Sequence, residues 1–173
     1  MTRLLLSVLT VVALSVSQHG ATPRGEPANG LVLTIRQISR SGSITVELGN
    51  VTARPISIWR ESNSWGASPW RVLRISKGHL ETFYQNSARG FMLNAPQVSE
   101  IAPAGHGEQT LDLNGRYWCA SGQCTKDERR SDDKRVRFDE GDTAIVIYDV
   151  PFAPETLEKN AWYGVLAAIT IVQ

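Results

Sequence analysis

The chain is poor in the residues from which active sites and metal centres are most often built. Its 173 residues include 3 histidines and 2 cysteines. None of His19, His79 or His106 stands at ligand spacing from Cys119 and Cys124, so a zinc site finds no donor set. A nucleophile elbow, a zinc-binding helix motif and a glycine loop for phosphate are all missing. Charge of one sign is missing too. Lys plus Arg number 18 and Asp plus Glu 17; setting Arg3 aside with the leader leaves 17 of each. Nucleic acid and anionic membrane surfaces reward a basic excess, so both are poor partners for this chain. No long helical period follows the first segment, which argues against a parallel sheet with its crossover helices.

The one long apolar run lies at the start. Met1 to Arg3 give a short basic lead, Leu4 to Val16 are mostly apolar helix formers, and small residues follow at Ser15 and Ser17. That order reads as a secretory signal over 1–17, and the run is too short for a comfortable membrane span. A cut after Ser17 leaves Gln18 first; the alternative after Ala21 puts bulky His19 at the minus-three place. The expected protein is secreted or periplasmic, without stable membrane insertion once the signal is removed. Residues 18–30, rich in Gly, Pro and polar residues, read as a disordered leader, and 31–173 as one domain.

From Leu31 onward the sequence alternates with a period of two. Leu31, Leu33 and Ile35 are followed by a turn over Ser39 to Gly42 and by Ile44, Val46 and Leu48, which together make a strand pair. Further strands are expected at 56–58, 70–75, 80–84, 98–102, 109–113, 135–138 and 144–148. Tyr163 to Val172 is apolar on both faces and reads as a central, doubly covered strand. Pro154 to Lys159 fits a short helix before it. Residues 114–134 interrupt the pattern with the cysteine pair and a dense mixed-charge stretch, and read as an insertion loop. In an exported chain Cys119 and Cys124, enclosing four residues, are expected to form a local disulfide contributing about 2 kcal/mol. The expected fold class is therefore all-β: an antiparallel sandwich of about eight to ten strands with one disulfide-stapled loop.

Asn50-x-Thr52-x-x-Pro55-Ile56 after a strand, Ile101-x-Pro103-x-Gly105 before another, and an apolar last strand opened by Trp162-Tyr163-Gly164 resemble bacterial immunoglobulin-like domains. The order is similar to that of the BsuPI-type proteinase-inhibitor-like domain. The resemblance implies an immunoglobulin-like sandwich and carries no inhibitory residue across, since this architecture hosts many unrelated functions.

Several stretches are candidate sites. Trp59, Trp65 and Trp70 could present a flat aromatic platform to sugar rings, with Asn63, Glu61 and Arg60 bonding to hydroxyls at the rim; alternatively Trp59 and Trp70 face the core and leave only Trp65. The charged loop offers Lys126, Arg129, Arg130 and Lys134 to a protein partner. Asp139-Glu140-Gly141-Asp142 has the oxygens but not the spacing of a calcium loop and reads more simply as a hairpin turn. Asn50-Val51-Thr52 matches a glycan acceptor and serves a turn equally well. His79 with Glu81, and His106 with Glu108, lack a nearby nucleophile, so no catalytic residue, metal or cofactor is assigned. The expected role is a non-enzymatic module that binds an extracellular or periplasmic protein, with polysaccharide binding through the Trp59 to Trp70 segment as the alternative.

Overall fold

A computed structural model describes residues 24–60, 69–85, 96–115, 117–120 and 135–173. Among them the chain is built of strands, with one short helix. In chain order the elements are β1 (Leu31–Ile38), β2 (Ser43–Asn50), β3 (Ile56–Trp59), β4 (Trp70–Ser76), β5 (His79–Gln85), β6 (Val98–Ile101), β7 (His106–Asp112), β8 (Trp118–Ala120), β9 (Thr143–Val150), α1 (Pro154–Glu158) and β10 (Gly164–Ile171). They form a three-stranded sheet in the order β1-β2-β7, a five-stranded sheet in the order β10-β9-β4-β5-β8 and a two-stranded pair β3-β6. Every pairing between these strands is antiparallel.

The alternation seen in sequence is the alternation of faces. On β2 Ile44, Val46 and Leu48 are buried, and on β9 Ala144, Val146 and Tyr148 are, while their neighbours point outward. The inward residues of both large sheets join one apolar cluster that includes Leu33, Val46 and Leu111 from one and Trp70, Val72, Tyr148 and Leu166 from the other. Within it the Tyr148 ring lies 4.5 Å from Trp70 and 5.7 Å from Trp162, centroid to centroid. Burial pushes the Tyr148 phenol up, so it stays neutral.

Two tight turns set register. Asn29-Gly30 joins the leader to β1 and Lys77-Gly78 joins β4 to β5; all four residues have positive φ, the signature of two-residue hairpin turns of mirror-image type. The leader read over 18–30 is therefore ordered in its described part. Arg24 bridges Thr34, the Gly25 N–H donates to the Leu33 carbonyl at 2.8 Å, and Ala28 pairs with Leu31. A polar composition suggested a free tail, whereas the Asn-Gly turn folds it back along the edge of β1.

Of three further expectations, two are corrected and one lies partly outside the described residues. No cysteine pair falls within the described fold, so the disulfide-stapled loop is not part of it as described: Cys124 lies outside those residues, and Cys119, the one cysteine among them, is not free. Cys119 sits in β8, opposite Tyr84 on β5 and 4% exposed. Both ends of the insertion are pinned by Asn114, whose Nδ2 donates to the carbonyls of Ser41 and Val136 while its Oδ1 accepts the Val136 N–H. The last strand, β10, is apolar on both faces yet lies at the end of its sheet rather than in the middle. Residues 135–138 form no strand, but Val136 and Phe138 are buried in the core.

Candidate functional site

Two of the three platform indoles are turned into the core. Trp59 and Trp70 end β3 and begin β4 with 4% and 1% of their surface exposed, and both belong to the core cluster. Trp65 and Asn63 lie outside the described residues, as do Lys126, Arg129, Arg130 and Lys134 of the charged loop. The acceptor-like Asn50 is 2% exposed. Its Nδ2 donates to the Arg54 and Ile101 carbonyls and its Oδ1 accepts from the Thr52 N–H at 2.8 Å, so it serves the turn.

The acidic hairpin is likewise structural. Asp142 is buried and accepts from the Asp139 N–H at 3.0 Å and from Arg74 Nε at 2.9 Å. Arg74 also reaches Glu81 at 3.2 Å and lies over the Phe138 ring at 5.9 Å. Burial pushes the Asp142 carboxyl up, but hydrogen bonds from Ser76, the Asp139 N–H and Arg74, with the Arg74 charge, hold it below the usual aspartate value. Among the described residues no group of three or more His, Cys, Asp or Glu side chains is placed to hold a metal ion, and no helix is long and apolar enough to cross a membrane. His79 and His106 are exposed on separate sheets.

The outward faces of the two large sheets differ sharply. On the three-stranded sheet the alternation turns Arg36, Thr45, Glu47, His106, Glu108, Thr110 and Asp112 outward, a solvent face of ordinary polarity. Arg36 and Glu47 there form a bidentate pair, Nε to Oε2 and Nη2 to Oε1. A shallow groove of about 430 Å³ crosses this face, with Val32 and Gly49 among its apolar lining and Arg24, Thr34 and His106 among its polar lining.

The five-stranded sheet has no such dress. Register places Ile169 of β10 beside Ile145 of β9, Leu73 of β4 and Thr82 of β5 in one row. Ile171, Thr143, Ile75 and Leu80 form the next row. Val165, Ile169, Ile171 and Leu80 are 60%, 48%, 52% and 61% exposed. Beyond Val165 the stripe continues into Phe152 and Tyr163, which meet edge to face at 5.0 Å and are both exposed. The charges on this face among β4, β9 and β10 are Arg71 and Asp149, paired with each other at 3.5 Å. The largest apolar patch on a protein surface is often a functional one.

Sequence reasoning saw the two-sided apolarity of β10 and took it for double burial. The signal that distinguishes the two is in the neighbours: Ile145, Ile147, Leu73 and Ile75 fall on the non-core parity of β9 and β4. Compared with protein-family models, curated proteins and solved structures, the chain matches none. The resemblance to immunoglobulin-like and BsuPI-type domains therefore stands on its motifs alone.

Proposed function

We propose that the chain is an exported, non-enzymatic interaction module that holds a protein partner against the outward face of its five-stranded sheet. The observation that carries this reading is the apolar surface running from Phe152 and Tyr163 through Val165 and Ile169 to Ile75 and Leu80, exposed and nearly without charge. Apolar area removed from water contributes about 25 cal/mol per Å², and side chains already ordered on a paired sheet lose little freedom on docking. The strand orders β1-β2-β7 and β10-β9-β4 support kinship with immunoglobulin-like domains, whose two sheets divide their strands in the same sequence order. Polysaccharide binding lacks comparable support, since two of its three indoles are core residues.

Photo-crosslinking tests the reading. A photoreactive side chain in place of Ile169 should give a discrete protein adduct in the compartment where the chain resides, and a second substitution, Val165→Glu, should abolish it. The same probe at Thr110, on the polar sheet, should give none. Equal labelling from both faces, or no adduct from either, refutes it.

A further inference from the structure

Resting on the interaction-module reading, we infer that the occupant of the five-stranded sheet's outward face is a second copy of this chain, packed sheet on sheet about a two-fold axis. Charge points first to this occupant. Arg71 and Asp149 already pair with each other, with side chains 55% and 32% exposed, so the face offers no net field to an acidic or basic peptide or to an anionic lipid surface. An identical face meets it without leaving a charge unpaired. In a two-fold arrangement each Arg71 can also turn to the Asp149 of the other copy.

Shape points the same way. Two apolar sheet faces stack about 10 Å apart with their strands within about 30° of each other, the ordinary geometry of sheet packing. A two-fold contact asks only that one patch complement itself. The patch spans β10, β9, β4 and β5. With strands about 4.8 Å apart and about 3.3 Å of rise per residue, it covers roughly 500 Å² per copy. Pairing two copies hides roughly 1,000 Å², the lower bound for a specific interface, so the dimer is reversible rather than permanent. The exposed Phe152–Tyr163 pair at one end supplies the aromatic anchor such a contact favours.

Sedimentation velocity of the purified protein from low to high micromolar concentration tests this. The weight-average mass should rise toward twice the monomer. Ile169→Glu and, separately, Leu80→Glu should hold the protein monomeric at every concentration, while Thr110→Lys on the opposite face leaves the rise unchanged. Melting temperatures within about 3 °C of the parent show that each exposed substitution keeps the fold. If one apolar variant fails to fold, the other still decides. A parent that stays monomeric overturns the second-copy assignment, as does a dimer broken by Thr110→Lys but not by the two glutamates. A monomer that binds phosphatidylcholine vesicles through this face also overturns it. A monomer whose Ile169 probe still captures a protein of different mass overturns the assignment and leaves the interaction reading standing; a monomer with no adduct overturns both.

Discussion

Replacing Asn114 by alanine removes three hydrogen bonds at one stroke: Nδ2 to the Ser41 carbonyl at 2.7 Å, Nδ2 to the Val136 carbonyl at 3.0 Å and the Val136 N–H to Oδ1 at 2.7 Å. Val136 is 4% exposed, so its amide finds no ready substitute in water. Each net bond is worth about 1 kcal/mol, and a buried orphan amide costs about as much again. The bond to Ser41 is exposed and counts for less, so the expected loss is about 3 kcal/mol. In a chain of this size that lowers the melting temperature by about 6 to 12 °C. Denaturant titration followed by circular dichroism reads the first quantity and thermal melting the second. Asn114→Asp sharpens the test. It keeps the acceptor for Val136 but turns a carboxylate oxygen toward two carbonyls, which disfavours the charged form and raises the carboxyl's folded-state pKa above its unfolded value. The variant's deficit relative to the parent should therefore be smallest below the unfolded value of about 3.9 and grow as the pH rises through the folded one. An alanine variant within about 0.5 kcal/mol of the parent, or an aspartate variant with a pH-independent deficit, would show that Asn114 does not clamp the insertion.

Two other perturbations test the fold from different sides. Asp142 has its folded pKa lowered, so its stabilising contribution is present above the unfolded value and disappears as the pH falls through the folded one. Asp142→Asn should cost about 2 kcal/mol at neutral pH, with the gap to the parent closing in strong acid; a gap that stays constant down to the acid limit refutes the assignment. Gly25→Ala should cost about 1 to 3 kcal/mol, because a methyl there overlaps the Ala167 carbonyl oxygen, and hydrogen exchange at the Gly25 and Ala28 amides should quicken. Unchanged protection would mean that the close approach to Ala167 does not hold the leader against β1.

Much of the fold was legible in the sequence because strand alternation is a local code. Each of β1, β2, β4, β5 and β9 contains the residues whose period of two announced it, and the helix begins at Pro154 as its proline suggested. What the code does not carry is which element covers a face. The pattern of β10 is the same for a strand buried on both sides and for an edge strand with an open apolar face, and the difference lies in partners more than a dozen residues away. β8 is three residues long, too short for any period, and it hid inside a stretch read as loop. Val136 and Phe138 showed their apolarity but are held as extended chain by Asn114 and by the Arg40 carbonyl, not by a ladder. Of the site, the tryptophans were visible as a cluster, and the burial of Trp59 and Trp70 follows from core-facing positions on β3 and β4.

The two ends of the described chain hold each other. Asn29 Nδ2 donates to the Tyr163 carbonyl at 2.9 Å and Trp162 Nε1 to the Ala28 carbonyl at 3.2 Å, each across 134 residues of sequence. Gly25 lies against Ala167 in the same seam. Contacts so distant along the chain reward folding only after the largest loop has closed, and proteins dominated by them fold slowly. A ribosome must therefore finish β10 before the seam between leader and last strand can form. Until then β9 lacks the strand that ends its sheet, and the leader has β1 but not β10 to hold it.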